Sequence, residues 1–130
     1  MKIDLHCHSK YSGDNHLEPE DLIAQAIKMN LDGICVPSHP FRGYDSFGEH
    51  VLEMEGFDAL ETHNGINSEE MNRKAIRSAV MRNLPSIGGS DCHSREQVGR
   101  AFTEFKNPVS TVHALIEEIK NGNCRGVIVH

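Results

Sequence analysis

The chain has 130 residues, which is enough for one domain that folds around its own core. Its net charge of −6 disfavours general binding to nucleic acid or to an anionic membrane, and its 38% hydrophobic content is ordinary for a soluble globular protein. No apolar run approaches the roughly 18 residues of a transmembrane helix. No signal peptide precedes the first predicted strand, so we expect a cytoplasmic protein.

Short apolar segments alternate with amphipathic ones along the chain. We predict strands over residues 2–7, 33–37, 57–61, 84–88 and 100–105. Helices are expected from Pro19 to about residue 30, from Asn67 to about Arg82 and from a Ser110 cap to Gly122, with a short helix over residues 51–55. This order predicts one α/β domain over residues 1–130 with a mainly parallel sheet.

The first strand ends in His6-Cys7-His8, and alternate residues of a strand face the same side. His6 and His8 can therefore chelate one ion, whereas alternation turns Cys7 towards the core. The chain holds nine histidines, an excess, and neutral imidazole is the commonest metal ligand. The pattern predicts a metal site at this strand end.

Further candidate ligands follow other strands. Asp91 and His93 form a second pair at i, i+2, His39 follows the second strand, and Asp14 lies in the loop after the first. In α/β folds such positions share one edge of the sheet. Imidazole with carboxylate suits zinc, manganese or iron. Any one of these histidines alone also has an ordinary interpretation, as a hydrogen-bonded polar residue.

Three more residues are candidates for binding a substrate. Arg42 and Lys10 lie just past ligand positions and can bind a phosphate, although a surface salt bridge explains either equally well. His63 ends the third strand and is either a substrate contact or a hydrogen-bonded loop residue. Cys92, like Cys7, lies between two candidate ligands, and we expect a small buried side chain there.

Three segments carry a resemblance to a known family. They are Asp4–Asp14 (DLHCHSKYSGD), Ser38–Arg42 (SHPFR) and Gly88–His93 (GGSDCH). In this order they resemble the first, an internal and the last motif of the PHP (polymerase and histidinol phosphatase) domain. The resemblance implies a distorted seven-stranded β/α barrel with up to three divalent ions that hydrolyses phosphate mono- or diesters. It assigns one metal to His6, His8 and Asp91, a second to His39, and a third to Asp14 and His93.

The chain also departs from the family pattern. A strand ending in Thr-Asp-His, a Gly-x-Glu strand whose glutamate bridges two metals, and a further histidine have no counterpart in the sequence. We infer an internal deletion near residues 33–35, although a rival alignment would make His39 the Thr-Asp-His histidine. The expected fold is then a partial barrel, whose open edges would pair with another chain and produce a homodimer or an aggregate.

These features lead to one main hypothesis and two alternatives. The main hypothesis is a metal-dependent phosphoesterase of impaired activity that uses metal-activated water, with no catalytic side chain beyond the ligands. We expect one divalent ion (zinc, manganese or iron) and, as substrate, a phosphorylated small molecule or a nucleic-acid end. The first alternative is a non-catalytic metal-binding remnant with a structural or assembly role, and the second is a folded domain that binds no stoichiometric metal.

Overall fold

The computed structural model describes residue 7 and residues 9–13, 16–43 and 46–129. In chain order the elements of these ranges are α1 (Pro19–Lys28), β1 (Leu60–Asn64), α2 (Glu69–Arg82), β2 (Ser86–Gly89), β3 (Ala101–Phe105), α3 (Val112–Lys120) and β4 (Cys124–Ile128). Short 3-10 helices cover Lys10–Ser12, Gly48–Leu52 and Arg95–Gln97. The predicted α/β class is confirmed, while the predicted first strand lies outside the described residues apart from Cys7.

Helices α2 and α3 begin at polar caps that differ by one residue from the predicted ones. Ser68 caps α2 by accepting from the Met71 amide over 3.3 Å. Thr111, and not Ser110, caps α3 by accepting from the Ala114 amide over 3.1 Å. In each case the cap is the hydroxyl residue directly before the helix, where it can reach the free amides of the first turn.

Strands β1 and β2 form a parallel pair joined by α2. Leu60 lies opposite Ser86 and Asn64 opposite Gly89, with a shift in register between Glu61 and His63. An irregularity of this kind redirects side chains relative to strict alternation. The parallel pair therefore brings the polar end of β1 beside the start of the Gly-Ser-Asp segment.

Strands β3 and β4 form an antiparallel pair, which differs from the predicted mainly parallel sheet. Phe105 lies opposite Cys124 and Ala101 opposite Ile128. The strand ends next to the connection pair with each other, so α3 closes a hairpin and makes no crossover. The described strands form two pairs and no closed barrel.

The two pairs meet where glycine permits close approach. The Thr103 hydroxyl bridges to β2, accepting from the Gly88 amide over 3.0 Å and donating to the Gly88 carbonyl over 2.9 Å. A Cβ atom on Gly88 would lie 2.6 Å from the Phe102 carbonyl oxygen, and one on Gly126 would collide with His63 Nδ1. Side chains at these positions would push β2, β3 and β4 apart.

A hydrophobic cluster packs around Leu60 of β1. Its buried members are Val51, Met54, Phe57, Leu60 and Ala79, and the half-buried Tyr11, Phe41, Phe47 and Leu84 pack against them. The rings of Tyr11 and Phe47 are 4.6 Å apart, and Phe47 meets Phe57 edge to face at 5.5 Å. These contacts anchor the loops that carry Lys10 and Arg42 against the strand.

Residues 33–37 are not a strand, contrary to the prediction. The Cys35 carbonyl accepts from the Asp58 amide over 2.9 Å, and the Pro37 carbonyl accepts from the Glu61 amide over 3.4 Å. Pro37 has no amide hydrogen to continue a ladder, so the segment lies along β1 without pairing regularly. No helix among the described residues has the length and apolarity needed to cross a membrane.

Candidate functional site

The candidate site lies at the carboxyl ends of β1 and β2. Asn64 ends β1, and Asp91 follows the end of β2 by two residues. The segment that contains His39 and Arg42 lies beside them, because the Glu61 carboxylate accepts from the His39 amide over 2.5 Å. Two motifs that are 49 residues apart in sequence are thus brought together, although the segment before His39 is not the strand that the strand-end prediction assumed.

Asn64 connects the charged side chains of the site through hydrogen bonds, so we call it the hub of the site, and it is 1% exposed. Its amide nitrogen donates to the Glu61 carboxylate over 3.2 Å and to the Asp91 carboxylate over 3.1 Å. Its amide oxygen accepts from Arg42 over 3.1 Å and from the Ile66 amide over 3.0 Å. One buried side chain therefore fixes two carboxylates and one guanidinium relative to each other.

Arg42 forms an ion pair with Asp91. Its Nη2 donates to Asp91 Oδ2 as well as to Asn64, and its Nε donates to the Asn67 side-chain oxygen over 3.2 Å. Burial alone would raise the pKa of Asp91, but the hydrogen bonds from Arg42 and Asn64 and the charges of Arg42 and His39 outweigh it, so the pKa is lowered. Asp91 is therefore a carboxylate that attracts positive charge.

Two candidate ligands have left-handed backbones. Four non-glycine residues in the described ranges have a positive φ: Asn30, His39, Asn83 and Asp91. The two asparagines follow helices, where this conformation is common. His39 (31°) and Asp91 (51°) have no such reason, so their surroundings hold them in a costly conformation, which is frequent at functional sites.

His39 Nδ1 is buried and has no hydrogen-bond partner within the described part of the chain. A buried ring nitrogen without a partner costs free energy. His93 is exposed, and its Nδ1 donates to the Asp91 carbonyl over 2.8 Å. In the neutral ring this hydrogen bond leaves Nε2 unprotonated, which is the form that binds metals.

Three of the predicted ligands have side chains that could bind a metal ion. Asp91 carries negative charge, His39 has a ring nitrogen without a partner in the described ranges, and His93 has the tautomer of a ligand. Across the residues that the structure describes, no three His, Cys, Asp or Glu side chains converge on one point as metal ligands. His6, His8 and Asp14, the other predicted ligands, lie outside the described residues.

The structure also describes the other two predicted substrate contacts, Lys10 and His63. Lys10 forms a salt bridge with Glu18 at 2.6 Å, and the hydrogen bond to Glu18 raises the pKa of Lys10. His63 is half-buried and bonds the Thr62 hydroxyl over 2.7 Å, and burial lowers its pKa. It lines a cavity of about 620 Å³ beside the site, together with Asn64, Asn67, Arg73 and Arg125.

Sequence reasoning missed three members of the site and misplaced two cysteines. Glu61, Asn64 and Asn67 are polar residues at or after the end of β1, and that position was the available signal. Cys7 and Cys92 are exposed, not buried. For Cys92 the reason is that β2 ends at Gly89 and Asp91 turns the backbone, so strand alternation does not extend to it.

Comparison with family models supports the resemblance to the PHP domain for the C-terminal half of the chain. Residues 69–124 match a family model described as PHP-associated. The match runs from the start of α2 to the start of β4 and includes Asp91 and His93. This part of the chain is thus similar to a PHP-associated region, which is consistent with the resemblance to the PHP family. No curated protein and no solved structure matched the chain.

Proposed function

We propose that this protein is a metal-dependent phosphoesterase with a reduced ligand set. The observation that carries the proposal is the buried Nδ1 of His39, which has no hydrogen-bond partner among the described residues. Its segment is linked through Glu61 and Asn64 to Asp91, which lies within the part of the chain that matches the PHP-associated model. A satisfied structural histidine would have a partner for that nitrogen. A divalent cation would satisfy it.

The ligands would come from the strand ends. Asp91 with His6 and His8 would hold one ion, and His39, His93 and Asp14 remain for others. When bound, a divalent ion supplies Lewis acidity, which activates water and neutralises charge on phosphoryl oxygens. Zinc, manganese and iron suit this combination of imidazole and carboxylate.

The chain's own residues would bind and orient the substrate. Arg42 has the planar, bidentate geometry that fits a phosphate, and Asn64 and Asn67 hold it at the strand ends. The cavity beside these asparagines has the size of an ordinary ligand pocket and would take the alcohol part of the ester. A phosphorylated small molecule or a nucleic-acid end is the substrate class.

One observation favours a second candidate, a metal-binding remnant without turnover. The Arg42 guanidinium already neutralises Asp91, so this carboxylate is stable without a metal. In either case the chain would be a partial PHP barrel whose open sheet edges pair in a homodimer. A cytoplasmic location goes with both candidates.

A hydrolysis assay separates the two. Purified protein with added Mn²⁺ or Zn²⁺ should hydrolyse p-nitrophenyl phosphate or its bis ester, and His8→Ala and Asp91→Asn should abolish the activity. His113→Ala is the matched control, because His113 is exposed on α3. Stoichiometric metal without turnover would support the remnant, and absence of both would refute the proposed function.

A further inference from the structure

Arg42 occupies the carboxylate that a metal would need. Its Nη2 donates to Asp91 Oδ2, and its side chain also donates to the side-chain oxygens of Asn64 and Asn67. The Arg42 and Asp91 side chains are 31% and 22% exposed, so solvent screens this ion pair only partly. The Arg42 guanidinium therefore competes with any metal ion for the Asp91 carboxylate.

A metal ion and the guanidinium repel each other when they share one carboxylate. Two cations within a few ångströms in a partly buried site disfavour simultaneous binding. Metal binding would then require Arg42 to leave Asp91 or to gain a negative partner of its own. The contacts with Asn64 and Asn67 are neutral and cannot provide that charge.

A phosphate group has the chemistry to resolve this competition. It offers Arg42 two negatively charged oxygens in the bidentate geometry that guanidinium prefers. Once Arg42 binds the phosphate, its charge is compensated and Asp91 is free for the metal. By thermodynamic reciprocity, the metal then strengthens phosphate binding by the same factor.

We propose that Arg42 is shared between Asp91 and the phosphate of the substrate, so that metal and phosphate bind to this chain with positive coupling. The inference rests on the proposed metal site at Asp91. It adds that phosphate binding to Arg42 favours metal binding at Asp91. The chain without ligand keeps Asp91 paired with Arg42. Phosphorylated ligands recruit the metal, whereas neutral ligands do not.

Direct contact between metal and phosphate would also couple their binding. The test therefore needs a result that direct contact does not predict. Removing the Arg42 charge should make Mn²⁺ bind more tightly when no phosphate is present. Direct contact alone predicts no such gain. Arg77→Gln serves as the control, because it removes one arginine from an exposed position on α2.

The experiment measures Mn²⁺ affinity from the electron paramagnetic resonance of free Mn²⁺, with and without inorganic phosphate. In the wild type, phosphate should tighten Mn²⁺ binding about tenfold, within the usual range of coupling between sites. Arg42→Gln should bind Mn²⁺ about tenfold more tightly than the wild type without phosphate and gain clearly less from phosphate. Arg77→Gln should behave as the wild type.

Each other outcome counts against a defined claim. Unchanged or weaker Mn²⁺ binding by a folded Arg42→Gln overturns the inference while leaving the proposed metal site in place. A wild type that binds no Mn²⁺ overturns both. If circular dichroism shows that Arg42→Gln does not fold, Arg42→Met, which also removes the charge, replaces it with the same expected results. Mn²⁺ binding by the wild type that does not respond to phosphate overturns the coupling in any case.

Discussion

The side-chain amide of Asn64 donates to the Asp91 carboxylate over 3.1 Å, at the point where β1 and β2 end side by side. Asn64 is buried and Asp91 is half-buried, so this hydrogen bond forms away from bulk water. It ties the polar end of one strand to the candidate ligand that follows the other. The geometry of the site therefore depends on a residue that carries no charge.

Replacing Asn64 by alanine should destabilise the protein by about 3 kcal/mol, because the change leaves two backbone amides, two carboxylates and a guanidinium without their shared partner. Urea denaturation followed by circular dichroism measures the loss. Asn107→Ala is the control, since the Asn107 bond to Glu118 is exposed, and its cost should stay below about 0.5 kcal/mol. Equal costs for the two variants would contradict the role of Asn64 as a hub.

Gly126→Ala should destabilise the contact between the two strand pairs. The new Cβ atom would collide with His63 Nδ1 and lie 2.7 Å from the Ile87 carbonyl oxygen, which belongs to the backbone and cannot move aside. We expect a loss of about 2–3 kcal/mol from overpacking, measured by denaturant unfolding. Gly33→Ala is the control, because its new Cβ atom would have no neighbour within 4 Å, and it should be nearly neutral.

The stability of the protein should fall as the pH drops below about 6.5, in part through His63. Burial lowers the pKa of His63 in the folded state, so the unfolded chain binds more protons between its own pKa, about 6.5, and the lower folded value. The stability from His63 is thus present above pH 6.5 and is lost towards acid. Unfolding curves at several pH values should show that the free energy of unfolding of His63→Gln depends less steeply on pH than that of the wild type. An unchanged slope, equal to that of His113→Gln on the exposed face of α3, would refute this prediction.

The cysteines should differ in their reaction with iodoacetamide. Burial, followed by the nearby Asp58 carboxylate, raises the pKa of Cys35 to about 11, so about one thiol in a thousand is ionised at pH 8. Cys92 is exposed. Mass spectrometry of peptides after brief labelling should therefore find Cys92 modified well before Cys35. Faster labelling of Cys35 would show that the loop beside β1 is not packed as described.

The sequence predicted the elements of the fold better than their pairing. Amphipathic periodicity and polar caps located α1, α2 and α3 to within a few residues. The strand before His63 was predicted over residues 57–61, yet pairing begins only at Leu60, because Phe57 packs into the core outside the ladder. The antiparallel pairing of β4 with β3 could not be predicted, since the alternation of apolar residues along a strand is compatible with parallel and with antiparallel pairing.

For the site, their positions after predicted strands indicated that the His39 and Asp91 segments would lie together. The Arg42–Asp91 pair shows that they do, although the residues before His39 form no strand. It did not predict Glu61 or Asn64. Their roles depend on the irregular register within β1, which strict alternation does not foresee. The metal-binding roles of all six predicted ligands (His6, His8, Asp14, His39, Asp91 and His93) remain predictions.

Metal content is the most direct test of the central claim that Asp91 belongs to a metal centre. The protein should be equilibrated with Mn²⁺ or Zn²⁺ in the presence of phosphate, passed through a desalting column and analysed by inductively coupled plasma mass spectrometry. We predict at least one ion per chain in the wild type and a loss of that ion in Asp91→Asn. A wild type that retains no stoichiometric metal, or an Asp91→Asn variant that retains as much as the wild type, would contradict the claim.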